Sequence, residues 1–162
     1  MRYYISDLHF FHENLNHSLD CRGFDSACEM NEYIIEKWNK KVREGDEVVL
    51  LGDFSAGHAE ETNEVLRRLH GRLFLIEGNH DHVIRHRKFD ASRFGWIKPY
   101  AEMHDNKRKV ILSHYPIFCY NGQCTASTTR AGQRVICSMD MCMIRTTKSS
   151  SMNLYIARGS HL

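Results

Sequence analysis

Apolar positions along this chain recur at two different periods, and the alternation between them predicts the elements. Residues 3–5 form a short apolar run that breaks at once into Ser6-Asp7-Leu8-His9 and a polar loop through Gly23, the pattern of a strand that stops where polar chemistry begins. Met30, Ile34, Trp38 and Val42 then recur every four residues, and Ser26 with Glu29 three positions later is a capping-box pair. The spacing predicts an amphipathic helix over 26–41 that has stopped by Gly45, with Trp38 in the core. Residues 47–51 are a Val/Leu run bounded by Gly52-Asp53, which suits a buried parallel strand. A second helix is predicted over 60–69, with acids in its first turn and Gly71 just past its end. Residues 72–76 give a third strand followed by Gly78-Asn79-His80-Asp81. Residues 96–104 and 109–113 predict two strands joined by a turn at Asp105-Asn106, the second running into His114-Tyr115-Pro116. Strands alternating with helices and then a hairpin make an α/β fold.

The pattern fails in the last quarter. Residues 1–123 hold 19 acidic and 17 basic residues, a net charge of −2, whereas residues 124–162 hold one acid and five bases, a net charge of +4. That segment also carries four of the seven methionines and a Ser/Thr-rich run with no apolar period of either kind. The expected organisation is one domain over 1–123 and an atypical tail, poorly ordered, over 124–162. The whole-chain charge of +2 is too small to indicate nucleic acid or an anionic membrane as a partner. No stretch approaches the roughly 20 apolar residues that span a bilayer, and the opening lacks a signal-peptide profile. A cytoplasmic chain with free thiols is the expectation.

Candidate chemistry sits at the ends of the strands. Four apolar strands are each followed within about two residues by Asp, Asn or His, and in parallel α/β sheets ligands bind at the carboxyl ends of strands. The donors offered are two carboxylates, an amide oxygen and up to three imidazoles. This mixture suits Mn²⁺, Fe or Zn²⁺ better than Ca²⁺ or a soft, thiolate-bound ion. Taken singly, Asp7 is also an ordinary turn residue, Asp53 a helix-capping acid and His114 a core histidine. His12, His17 and Arg22 lie in a loop where substrate could pass but read first as members of an ordinary solvated loop, and the basic 82–88 stretch reads as an exposed helix face or a contact for an anionic substrate.

Asp7-Leu8-His9, Gly52-Asp53, Gly78-Asn79-His80-Asp81 and Ser113-His114 together resemble, in order and spacing, the first four motifs of the calcineurin-like metallophosphoesterases. The resemblance spans about three quarters of the chain. It implies a sandwich of two mixed β-sheets flanked by helices, its C-terminal strands incomplete here, and two divalent metal ions, Mn, Fe or Zn, at one rim. Asp7 and His9 would hold one ion, Asn79 and His114 the other, and Asp53 would bridge both. A water between the ions would lose a proton near neutral pH and attack the phosphorus of a phosphate-ester substrate, monoester or diester, in line. His80 would meet the phosphate and protonate the leaving oxygen, while Asp81 would hydrogen-bond His80 and set its tautomer.

The family's fifth motif, Gly-His-x-His, is absent after His114, and only His161 follows. The genetic code offers an account. Met139-Asp140-Met141-Cys142-Met143-Ile144, back-translated and read from the third base of each codon, gives Gly, His or Tyr, Val, His or Tyr, then Asp. That is Gly-His-Val-His-Asp in another frame. A frameshift near Cys124 would explain the tail's composition, remove one ligand from each metal, lower activity and expose a sheet edge. Two other readings stay open. One is a pseudo-phosphoesterase that binds without turnover; the other is a zinc-binding module built from Cys119, Cys124, Cys137 and Cys142. Nothing in the sequence specifies protein partners.

Overall fold

The computed structural model describes residues 1–16, 20–106 and 108–121, together with the backbone of two short strands at 134–137 and 155–156. Four strands build one sheet with a fifth at its edge: β1 (Arg2–Ile5), β2 (Glu47–Leu50), β3 (Arg72–Ile76), β4 (Phe94–Lys98) and β8 (Tyr155–Ile156), in the order β4-β3-β2-β1-β8. β1 to β4 are parallel and β8 pairs antiparallel to β1. A second sheet has the order β5-β6-β7, from β5 (Tyr100–Asp105), β6 (Arg108–Ser113) and β7 (Arg134–Cys137), with one antiparallel and one parallel pairing. Both sheets are therefore mixed.

Period-two patterning explains the layers. Tyr3, Ile5, Val48, Leu50, Leu73 and Leu75 share one face of the larger sheet, where they pack against Met30, Ile34 and Trp38 of α1 (Ala27–Lys41) and Val65 and Leu66 of α2 (Ala59–Arg68). The alternate residues Tyr4, Val49, Leu51, Phe74 and Ile76 turn to the other face and meet Ala101, Val110 and Leu112 of the second sheet. A strand buried on both faces needs a continuous apolar run, and β2 and β3 supply one. Trp38 is fully buried and its indole N–H donates to the His70 carbonyl at 2.9 Å, so its burial leaves no polar atom unmet. Tyr4 ties the layers together by donating its hydroxyl to Asp105 Oδ2 at 2.8 Å.

The helices start close to where the caps predict. Ser26 Oγ accepts from the Glu29 N–H at 3.2 Å, and the Glu29 carboxylate accepts from the Asp25 N–H at 2.8 Å. At α2 the Glu61 side chain reaches back to the N–H of His58 at 3.0 Å. Among the described residues both helices lie on the same side of the sandwich.

Two expectations change. The single strand expected over 96–104 is two strands, β4 in the first sheet and β5 in the second, divided at Pro99. Proline has no N–H for a ladder and restricts the residue before it, so the chain leaves one sheet there and joins the other. Strands also continue past residue 123. β7 lies beside β6 with Val110 opposite Arg134 and Ser113 opposite Cys137, and β8 lies beside β1. The Arg-Val-Ile-Cys segment is β-branched at its centre, which suits a strand although the surrounding composition hides it. The expected order of the rest of the tail lies outside the described residues.

Candidate metal centre

Two loops run on beyond the sheet side by side, and this places the first acids. After β1 and β2 end, the parallel ladder continues through Leu51 N–H to the Ile5 carbonyl (2.7 Å), Asp7 N–H to the Gly52 carbonyl (3.1 Å), His9 N–H to the Asp53 carbonyl (2.9 Å) and Phe10 N–H to the Phe54 carbonyl (3.0 Å). Side chains at the tips must leave the pleat to converge, and the backbone bears the cost. Asp7, His9 and Asp53 all adopt left-handed φ values, of 56°, 50° and 54°. Such a conformation costs a non-glycine residue about 1–3 kcal/mol and persists only where the surroundings impose it.

Glycines let the loops approach. A Cβ at Gly52, whose φ is +93°, would stand 2.3 Å from His114 Nδ1, and one at Gly78 would stand 2.4 Å from both Asp53 N and Asp53 Oδ1.

Four of the five expected ligands meet around Asp53, which is 4% exposed. His9 Nε2 lies 3.5 Å from Asp53 Oδ2 and 3.9 Å from Asp7 Oδ1, whereas His114 Nε2 lies 3.7 Å from Asp53 Oδ1. One oxygen of Asp53 thus faces each imidazole. The fifth, Asn79, reaches the same place through its Oδ1, 2.9 Å from His114 Nε2. Ligand atoms of Asp7, Asp53 and His114 all fall within 4.8 Å of one another.

The donor set fits a divalent cation. His114 Nδ1 lies 2.8 Å from the Leu51 carbonyl oxygen, to which it can only donate, so in the neutral ring Nε2 carries a lone pair. That lone pair faces the Asn79 carbonyl oxygen, and two acceptors so close need a proton or a cation between them. Two donors each about 2.1 Å from one ion and at right angles to it are about 3.0 Å apart, which matches. Burial acts in the same direction. It raises the Asp7 carboxyl above its usual range and lowers His9 to about 4, so His9 is held neutral and ready to ligate at ordinary pH.

Asp81 holds the backbone of both loops. It is 1% exposed, and its oxygens accept from the backbone N–H groups of Asp53 (2.9 Å), Phe54 (2.7 Å) and Gly78 (2.9 Å). All three bonds are to backbone N–H groups, and they lock the loop of Asp53 to that of Gly78. Burial raises its carboxyl and the three N–H donors oppose that rise. His80 is exposed at the rim, held by its own N–H, which donates to Asp53 Oδ1 at 2.8 Å.

The loop after Asp7 also departs from the solvated reading. Arg22 is 3% exposed and its guanidinium donates to the carbonyls of Leu8 (2.9 Å) and Asp7 (3.0 Å), with Asp20 as counter-charge at 3.3 Å. It clamps the strained turn that presents Asp7 and His9. No periodic signal marks an arginine that bonds carbonyls fourteen and fifteen residues away, so the sequence did not reveal it. His12 also comes to the site, while His17 lies outside the described residues. The 82–88 stretch is one 3-10 turn (His82–Arg85) and a loop, in which Arg85 pairs with Glu77 and Lys88 with Glu60. Of the thiols suggested for a zinc module, Cys119 is exposed, and Cys124 and Cys142 lie outside the described residues, as do His161 and the side chain of Cys137. Among the described residues no helix is long and apolar enough to cross a membrane.

Three comparisons relate the chain to known proteins. The family model described as calcineurin-like phosphoesterase matches residues 3–148. An uncharacterized protein of Methanocaldococcus jannaschii, MJ1445, is 42% identical over 120 residues, covering 73% of this chain and 60% of its own length. The gene 66 protein of Mycobacterium phage D29 is 31% identical over 139 residues, covering 76% of this chain and 66% of its own. Among solved structures, the protein of unknown function AQ665 from Aquifex aeolicus superposes with a TM-score of 0.58 at 32% identity, covering 72% of this chain and 61% of that one. The chain thus spans about two thirds or less of the length of each of these relatives.

Proposed function

Since this chain belongs to the calcineurin-like phosphoesterase family, we propose that it hydrolyses phosphate esters at a centre for two divalent ions, Mn, Fe or Zn, with Asp7, His9, Asp53, Asn79 and His114 as ligands. The observation that carries the reading is Asp53, whose Oδ2 faces His9 and whose Oδ1 faces His114. A carboxylate placed so is suited to being shared between two cations. When bound, the ions supply a water activated near neutral pH and neutralise charge gathering on the phosphoryl oxygens.

The chain's own residues do the rest. Asp7 and His9 are held on a turn that Arg22 braces, and Asp53 on a turn that Asp81 braces, so the ligands are in place before substrate arrives. His80, at the exposed rim, meets the phosphoryl group and hands a proton to the leaving oxygen. Its N–H bond to Asp53 fixes its distance from the centre.

The test is hydrolysis of an aryl phosphomonoester and an aryl phosphodiester by the full chain, stripped of metal and then reloaded with Mn²⁺, Zn²⁺ or Fe²⁺. Metal-dependent turnover that falls about 100-fold or more in His80→Ala, with metal content unchanged, supports the reading. Turnover unaffected by chelation contradicts it.

The absence of a Gly-His-x-His segment after His114 favours a second reading for this particular chain, lowered turnover with weakened metal binding. Its proposed origin, a frameshift near Cys124, is decided by the gene's nucleotide sequence. Codons for Asp140 and Cys142 that both end in C restore the two histidines in the other frame; codons that both end in T give tyrosines and refute it.

A further inference from the structure

The metal reading leaves one histidine of the site unused. His12 stands three residues beyond His9, where the chain turns back through its own N–H, which donates to the His9 carbonyl at 3.2 Å. Its ring lies 5.5 Å from that of His9 at an interplanar angle of 76°, and 6.2 Å from that of His80 at 84°. His9 and His80 are themselves 5.4 Å apart. Three imidazoles from two separate loops therefore surround one spot beside the metal-facing carboxylates.

The unpartnered nitrogen of His12 shows what the ring can do. Its Nδ1 is buried and has no hydrogen-bond partner among the described residues. A proton on that nitrogen would be a buried donor with nothing to accept it, so the neutral ring carries its proton on Nε2 and offers a donor there. The three ring centroids stand 5.4–6.2 Å apart, whereas ligand atoms of Asp7, Asp53 and His114 gather within 4.8 Å of one another. A tetrahedral oxyanion is wider than an ion: donors about 2.8 Å from oxygens about 2.5 Å apart can stand about 5–7 Å from one another.

We propose that His12 is a substrate-binding residue whose Nε2–H donates to a phosphoryl oxygen of the phosphate ester, opposite the oxygen met by His80. The proposal rests on the phosphoesterase reading and adds to it a residue that selects for the dianionic or diester phosphoryl group rather than for the ions. It also assigns the turn that carries His12 to substrate recognition.

The experiment compares wild type with His12→Ala, His12→Gln and His12→Asn as full chains loaded with Mn²⁺. Calorimetric titration with inorganic phosphate is the first readout, metal content the second, and KM against kcat on an aryl phosphate ester the third. His12→Ala is expected to keep its metal and lose about tenfold in phosphate affinity, as for one hydrogen bond to a charged acceptor. KM should rise by a similar factor with kcat changed less. His12→Gln places an N–H donor near the Nε2 position and should recover most of the affinity; His12→Asn reaches only the Nδ1 position and should not. Phosphate affinity within about twofold of wild type in His12→Ala overturns the proposal, as does loss of a metal ion in that variant, which would make His12 a ligand. Phosphate binding that depends on His12 in a chain without ester hydrolysis would sustain this proposal and refute the phosphoesterase reading, so the two fail separately.

Discussion

Replacing Asp81 with asparagine removes a charge and one acceptor from a side chain that is otherwise nearly isosteric, and the structure sets the size of the effect. Asp81 Oδ2 accepts from the N–H groups of Asp53 and Gly78, and Oδ1 from that of Phe54. Asparagine has one acceptor oxygen. Its best orientation keeps the first two bonds, now without charge assistance, and turns an NH₂ group toward the buried Phe54 N–H. A hydrogen bond to a charged group contributes about 1.5–3 kcal/mol, and a stranded buried donor costs about 1–3 kcal/mol. Against this, burial already raises the Asp81 carboxyl, so the neutral amide recovers part of the desolvation cost of the carboxylate. A net loss of about 2–3 kcal/mol follows, which for a chain of this length lowers Tm by about 5–10 °C. Asp53 hangs from one of the bonds that lose their charge assistance, and the next residue from the bond that is lost, so metal affinity should fall by about 10–100-fold. Thermal unfolding of the metal-free chain, with titration of Mn²⁺ or Zn²⁺ into both proteins, measures the two effects. A Tm within about 1 °C of wild type together with unchanged metal affinity would refute the idea that Asp81 locks the loops.

Other perturbations test neighbouring links. Gly78→Ala puts a methyl 2.4 Å from Asp53 N and Oδ1, both rigidly held, and should cost about 1–3 kcal/mol in denaturant unfolding while weakening metal binding at least tenfold. Arg22→Met keeps the packing of the stem but strands the Asp7 and Leu8 carbonyls; chemical denaturation should show a loss of about 2–4 kcal/mol, and Arg22→Lys should recover only part of it. His9, lowered by burial to about 4, binds its proton less readily when folded. Its contribution is therefore present above its unfolded value near 6.5 and is lost as pH falls toward 4, by at most about 3 kcal/mol. Asp7 and Asp81, raised by burial, have the opposite sign. The difference in stability between metal-free wild type and His9→Asn, followed from pH 7 to about pH 4, isolates the His9 share, and a difference that does not change with pH contradicts it.

How much the sequence disclosed depended on whether the signal was local. The buried strands β2 and β3 and both helices are legible because their apolar period and caps lie within a few residues of one another. β4 and β5 merge in the sequence because two strands at a proline look like one run when nothing local says that they join different sheets. β7 was missed because a four-residue strand in a Ser/Thr- and Met-rich segment has too little period to detect. Within the site, Asp7, His9, Asp53, Asn79 and His114 were legible as polar residues at strand ends. Arg22 and Asp81 were not legible in their roles, since each bonds to backbone groups, and backbone partners leave no trace in residue identity. His12 lay in plain view at three residues from His9, but only the fold brings its ring to His80.

The central claim, that strand tips place oxygen and imidazole donors around a pair of cations with Asp53 between them, is tested most directly by metal stoichiometry. The chelator-stripped full chain and its Asp53→Asn variant are each titrated with Mn²⁺ and Zn²⁺ while their content of folded protein is followed. The account predicts two saturable ions per wild-type chain and loss of tight binding at both sites in the folded variant. A wild-type chain that binds no ion, or a variant that holds as much metal as wild type, would contradict it.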